Sequence, residues 1–121
     1  MESLTTVKPK SVKAKGRALQ NCLRDKLREA FPGLHEDDIK SQTMGMTGED
    51  IILTPAARKL IPYSFECKNQ ERIQMWKFLE QAESNAGEHT PILVVKKNRT
   101  KPYVVLDLDK WLELIKLKKV K

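Results

Sequence analysis

Three side chains in the middle of the chain have the types and spacing for hydrolytic chemistry: Asp50, Glu66 and Lys68. Glu66 and Lys68 lie in the stretch Tyr63-Ser64-Phe65-Glu66-Cys67-Lys68-Asn69-Gln70, which reads as a strand. Side chains alternate along a strand, so the carboxylate and the ammonium share one face about 7 Å apart. Phe65 and Cys67 then point the other way, into a core. Such a pair forms either a surface ion pair or half of a metal-hydrolysis site. Hydrolysing a phosphodiester needs a nucleophilic water, neutralised phosphate charge and a stabilised leaving oxygen, and Mg2+ supplies most of this. Magnesium takes an octahedron of oxygens, keeps several waters and binds one or two carboxylates. Asp50 and Glu66 are the candidate carboxylates, with the backbone carbonyl of Cys67 as a third ligand. Lys68 is placed to orient or deprotonate the attacking water, or to stabilise charge on the phosphorus. A chain this rich in Glu and Lys produces a Glu-X-Lys tripeptide by chance. An exposed pair of that kind contributes only ~0–1 kcal/mol. Spacing alone leaves both readings open.

The elements that must position these residues follow from periodicity. Leu19, Cys22, Leu23, Leu27, Ala30 and Phe31 form a helical stripe over 16–31, which Pro32-Gly33 ends. Residues 34–39 are acidic and turn-like, and 41–48, with two glycines among hydroxyl residues, form a loop. Residues 51–53 make a short apolar strand. Thr54 reads as a helix cap before Pro55, with one helical turn at 56–60. A strand over 62–68 follows. A connection folded symmetrically about Arg58 would pair the two strands antiparallel and set Asp50 opposite Glu66. A second helix is predicted over 71–84, its buried stripe being Ile73, Trp76, Leu79 or Phe78, and Ala82. The continuous apolar run 91–95 predicts a strand covered on both faces. A basic turn at 96–101 leads into a strand over 103–107. A final helix is capped by Asp109 and carries Trp111, Leu112, Leu114 and Ile115. Trp76 and Trp111 are assigned to the core, with an interface as the alternative. The resulting class is α/β: a central mixed sheet of about four to five strands flanked by helices.

With 121 residues the chain has room for one domain, here 16–121, preceded by a flexible basic arm over 1–15 with Lys8, Lys10, Lys13 and Lys15. No apolar run is long enough to span a membrane and no secretion signal opens the chain. Cys22 and Cys67 sit in apolar patterns without metal-ligand spacing, which predicts reduced thiols and a cytoplasmic location. His35 and His89 are isolated surface residues rather than zinc ligands. The net charge of +7 points to a polyanionic partner. Candidate phosphate contacts are Lys13, Lys15 and Arg17 by the first helix, and Lys96, Lys97, Arg99 and Lys101 in the basic turn. Asn69 and Arg72 flank the catalytic strand, and Thr43 and Gly45 lie in the loop before Asp50. Few aromatics and no zinc-finger or zipper pattern favour recognition of shape and backbone over base readout.

The succession Glu49-Asp50, some fifteen residues, then Glu66-Cys67-Lys68 resembles the PD-(D/E)XK nuclease superfamily. Its order and size are most similar to archaeal-type Holliday-junction resolvases and small phage-encoded relatives. Lys15-Gly16-Arg17-Ala18-Leu19-Gln20 resembles the start of that family's first helix, Gln81-Ala82-Glu83 a segment after the catalytic strand, and Val94-Val95-Lys96-Lys97 the late core strand. The resemblance implies a restriction-endonuclease-like core with Asp50, Glu66 and Lys68 in the metal-binding and catalytic positions. Gln81 and Gln20 would position the water or the phosphate. It implies Mg2+ as cofactor, with Mn2+ able to substitute, and no small-molecule cofactor. It also implies branched or duplex DNA as partner, a role in DNA recombination, a homodimer and, for a phage protein, action in the host-cell cytoplasm. Two departures stand out: Gln20 occupies a position where the family usually has glutamate, and Glu49 stands where proline precedes the aspartate. The alternatives are a related nuclease acting on flaps, nicks or duplex, and a non-catalytic DNA-binding module on the same fold.

Overall fold

The computed structural model describes residues 11–120. Helix α1 runs Val12–Ala30, opened by Ser11, whose hydroxyl accepts from the Ala14 N–H at 3.1 Å. It therefore begins before the expected start at residue 16. Residues 12–15 are its first turn rather than arm, and the rest of the expected arm, 1–10, lies outside the described residues. The helix ends at Phe31, as Pro32 requires. A single 3-10 turn, Glu36–Asp38, delivers the chain to β1, Ile39–Ser41.

Strand β2, Ile51–Leu53, pairs antiparallel with β1, Ile39 lying opposite Leu53 and Ser41 opposite Ile51. Ile39, Ile51 and Leu53 are buried while Lys40 and Ile52 are exposed, the alternation of a half-covered ladder. This corrects the expected hairpin, because β2 pairs with β1 and not with the strand that carries Glu66 and Lys68. The connection is too long and too structured for a hairpin. Thr54 caps helix α2, Pro55–Leu60, and two further residues lead on to the next strand. Strand β1 itself escaped the periodicity reading, since its three residues contain one apolar side chain.

Strand β3, Tyr63–Asn69, pairs parallel with β4, Thr90–Lys96, in a register that sets Glu66 beside Leu93 and Asn69 beside Lys96. Helix α3, Met75–Ala86, makes the crossover, as a parallel pair requires. It starts later than expected because the preceding residues are tied to the basic turn. The Gln70 N–H donates to the Lys96 carbonyl at 3.0 Å, and the Glu71 carboxylate accepts from the Asn98 N–H at 2.5 Å. Strand β5, Tyr103–Val105, adds antiparallel to β4. The mixed sheet thus has three strands in the order β3-β4-β5, and five strands are reached only with the β1-β2 ladder. Helix α4, Leu108–Val120, ends the described chain, and its cap is Asp107 rather than Asp109. The Asp107 carboxylate accepts from the Lys110 N–H at 2.9 Å.

Alternate residues of the sheet serve two layers. Phe65, Cys67, Ile92 and Val94 pack with Leu19 of α1 and with Ile39, Ile51 and Leu53 of the ladder. Leu93 is fully buried, and Phe78, Ala82 and Ala86, at i, i+4 and i+8, are the buried residues of α3. Trp76 lies about 200° around α3 from Phe78, so it faces outward and is 81% exposed. Trp111 is exposed as well. Assigning both tryptophans to the core is therefore corrected.

Candidate active site

Strand β3 sits between two helices, so its side chains are covered on both faces. Glu66 is accordingly only 4% exposed, which rules out a solvated surface pair. One carboxylate oxygen accepts from Asn85 Nδ2 of α3 at 3.2 Å, and the other faces Lys68 Nζ at 3.5 Å. The Lys68 ammonium rests over the Phe78 ring, 4.9 Å from its centroid. Burial pushes the Glu66 carboxyl above the ordinary carboxylate value, and the negative charge of Asp50 adds to this. Asn85 and Lys68 pull the other way without cancelling it.

Asp50 immediately precedes β2 and joins the two sheets. Its N–H donates to the Phe65 carbonyl, and its own carbonyl accepts from the Gln42 N–H, both at 2.8 Å. Its carboxylate accepts from the Cys67 N–H at 2.6 Å. The expected neighbourhood of Asp50 and Glu66 is therefore present, reached by a bridge at one residue instead of a hairpin. Burial raises the Asp50 carboxyl too, opposed by the Cys67 N–H, Lys68 and the Gln20 amide. In a strand, a residue's N–H and C=O leave on the same edge. The Cys67 carbonyl thus lies along the edge that Asp50 occupies, while its buried thiol is pushed far up.

Gln20 comes from the buried side of α1 and is 6% exposed, and its Oε1 has no hydrogen-bond partner. An acceptor left bare in the interior costs ~1–3 kcal/mol unless something fills it. That orphan oxygen beside two carboxylates of raised pKa tests whether a metal fits. Among the described residues no group of three or more His, Cys, Asp or Glu comes together. Two carboxylates, an amide oxygen and a backbone carbonyl do fit Mg2+, which completes its shell with water.

Gln20, Asp50, Glu66, Cys67, Lys68 and Gln81 all line one cleft of about 210 Å³. Lys13, Asn69 and Gln70 line it as well, with Met44 between Thr43 and Gly45. Arg17, Thr43, Arg72, Lys97, Arg99 and Lys101 are exposed outside it. The basic turn nevertheless begins at Lys96, whose strand neighbour is Asn69, one residue beyond Lys68. Arg99 holds this turn with a φ of 62°. Asn69 differs from a phosphate contact on the surface. It is buried, and its Nδ2 donates to the Lys15 carbonyl at 3.0 Å, tying α1 to β3. Glu49 points away from the cleft and pairs with Arg58, which also donates to the Tyr63 carbonyl at 2.5 Å.

Asn85, Gln70 and Met44 were not singled out by sequence. Asn85 stands at the end of a helix as a terminator would, and no spacing signal links it to Glu66 nineteen residues earlier. Gln70 could have been found from its adjacency to the Glu-X-Lys strand.

A family model described as "Phage putative PDDEXK endonuclease" matches residues 11–121. No curated protein matches the chain. No solved structure matches it either.

Proposed function

The chain belongs to the phage PDDEXK endonuclease family, and from that premise we propose that it is a Mg2+-dependent endonuclease that resolves Holliday junctions by phosphodiester hydrolysis. The observation that carries the metal-dependent reading is the convergence of buried Glu66 and half-buried Asp50 and Lys68 with the unpartnered Gln20 oxygen on one cleft. Asp50, Glu66 and the Cys67 carbonyl would hold the metal, with Gln20 Oε1 accepting from water beside it. When bound, the ion neutralises phosphate charge and acidifies water.

The protein's own groups perform the rest. Lys68, held over Phe78 and beside Glu66, lies where it orients the attacking water and steadies negative charge building on the phosphate oxygens. Asn85 fixes the Glu66 carboxylate so that its free lone pairs face the cleft. Gln81 at the cleft rim accepts or donates to the phosphate. The water oxygen bonds to phosphorus as the scissile P–O bond breaks, and the leaving oxygen takes up a proton. Lys13 at the rim and the turn 96–101 at the end of β4 bind flanking phosphates, a sequence-independent contact that weakens with salt.

A four-way junction as substrate is supported by the chain's similarity in size and motif order to junction resolvases, and by a basic surface without base-reading elements. The test is a substrate panel of four-way junction, flap, nicked and linear duplex DNA at equal concentration with Mg2+. Paired nicks near the crossover at a rate well above that on linear duplex are expected. Equal rates on all four DNAs would overturn the junction preference and leave the nuclease.

A further inference from the structure

Among the described residues β3 is the edge strand of its sheet, which runs β3-β4-β5. Its even-numbered residues turn their backbone groups toward β4: the Pro62 carbonyl accepts from the Thr90 N–H and the Gln70 N–H donates to the Lys96 carbonyl. Its odd-numbered residues therefore turn theirs to the outer edge. Three of these outward groups are taken up by Asp50 and by one arginine. The Tyr63 carbonyl accepts from Arg58 Nη1, and the Phe65 carbonyl accepts from the Asp50 N–H at 2.8 Å. The Cys67 N–H donates to the Asp50 carboxylate at 2.6 Å. Arg58 Nη2 meanwhile donates to both carboxylate oxygens of Glu49, the residue next to Asp50. Two ends meet at this pair, one loose and one fixed. The chain enters Glu49 from a loop over 43–48, in which Gly45 and Gly48 take φ of 89° and 102°. Glycines in that conformation constrain the next residues little. Arg58 comes from helix α2, seated by fully buried Ala57 and by the Thr54 hydroxyl, which donates to the Asp38 carboxylate at 2.6 Å.

We propose that Glu49 and Arg58 are positioning residues, a clamp that sets Asp50 in register against β3 and so fixes its carboxylate relative to Glu66. Its consequence for cleavage rests on the metal-dependent nuclease reading above. Neither residue lines the cleft, so both act through Asp50. Neighbouring side chains of an extended segment point to opposite sides. A grip on Glu49 from behind therefore aims Asp50 forward, into the cleft. The grip is shielded, with the Arg58 and Glu49 side chains only 17% and 22% exposed, so water screens it less than a surface pair. An arginine suits the place because its planar fork serves two acceptors at once, here a carboxylate and a backbone carbonyl. Mg2+ demands oxygens at about 2.0–2.1 Å in a near-ideal octahedron, so a carboxylate left to drift loses the ion. Partners that orient a metal ligand commonly govern about 10–100-fold in metal affinity or activity.

The test compares Glu49→Gln, Arg58→Met and the milder Arg58→Lys with wild type in two measurements. The first is amide hydrogen exchange without DNA or metal. The Asp50 and Cys67 N–H groups are expected to exchange about tenfold faster in Glu49→Gln and Arg58→Met. The Gln70 and Phe78 N–H groups, bonded away from the outer edge, should keep their rates. Arg58→Lys, which keeps the charge without the fork, should fall between. The second is single-turnover cleavage of a four-way junction against Mg2+ concentration. The half-saturating Mg2+ concentration is expected to rise about tenfold or more in Glu49→Gln and Arg58→Met, with junction affinity in EDTA unchanged. Unchanged exchange at Asp50 and Cys67 overturns the proposal, and so does a uniform rise at all four amides, which marks general loss of stability. An unchanged Mg2+ dependence overturns it as well. A wild type that never cuts sinks the nuclease reading instead, and the exchange rates still decide for or against the clamp.

Discussion

The cleft under β3 and the groove beside Trp76 break opposite rules of protein structure. In the cleft, groups that belong in water are buried: Glu66, the Gln20 amide and the half-buried Asp50. At the groove and along α4, groups that belong in a core are exposed, from Trp76 to Leu117. Each departure costs free energy in the isolated chain, through desolvated charge in one region and wetted apolar area in the other. In the cleft, the function proposed above offsets that cost with a cation and its phosphate. The difference teaches how to tell two kinds of site apart. A site for chemistry shows as polar groups held rigidly in too dry a place, and a site for association shows as apolar groups left too wet.

The largest expected effect breaks the polar side. Asp50→Ala and Glu66→Ala are each expected to lower the cleavage rate by about 10³-fold or more, several kcal/mol of transition-state stabilisation, with DNA affinity retained. Single-turnover cleavage beside a binding titration checks this. A contrast within α3 sharpens the comparison next. Phe78→Ala empties a buried position and removes the ring under Lys68, so urea unfolding should show a loss of about 3–5 kcal/mol. Trp76→Ala, two residues earlier and exposed, should stay within about 0.5 kcal/mol for the monomer.

A smaller effect comes from the occupant of the cleft. Mg2+ at a hundredfold excess over its Kd should stabilise the folded chain by about 2.7 kcal/mol, a rise of roughly 10 °C in Tm. Asp50→Asn should abolish that rise in a thermal melt.

The smallest expected effect is on pH dependence without metal. The folded-state pKa values of Asp50 and Glu66 are raised, so the folded protein binds more protons than the unfolded chain between the ordinary carboxylate pKa and the raised one. Their contribution to stability is therefore lost as pH rises through that window. Asp25 and Asp38 have the opposite sign. The Arg24 guanidinium on Asp25 and the Thr54 hydroxyl on Asp38 hold those carboxyls low, so their contribution is lost as pH falls. In EDTA, Asp50→Asn should remove one of the two raised groups. The expected result is a chain more stable than wild type at neutral pH, with a flatter fall above pH 4, measured by urea unfolding across pH.

Much of the cleft was legible in the sequence because its residues sit on regular elements. Alternation along β3 gave the shared face of Glu66 and Lys68, and the buried Cys67. Gln20 was marked not by periodicity but by the resemblance, which expects an acid at its place on the first helix. Three-residue strands carry too few side chains for periodicity, so β1 was missed and β2 was given the wrong partner. Asp50 reached its position by side-chain and backbone bonds to β3, which no pattern encodes. Asn85 was invisible for the same reason. Trp76 shows the limit from the other direction. Its aromaticity argued for the core, but a helix has only one buried side, and Phe78 with Ala82 and Ala86 took it.

The most direct test of the Asp50 and Glu66 carboxylates as a metal-dependent hydrolytic site uses one labelled four-way junction and three proteins. Wild type, Asp50→Asn and Glu66→Gln are each assayed with Mg2+ and then with EDTA. Wild type is expected to cut with Mg2+ and stop with EDTA, while both variants bind the junction with unchanged affinity and leave it whole. A wild type that binds and never cuts with Mg2+ or Mn2+, or variants that cut at the wild-type rate, would contradict that assignment.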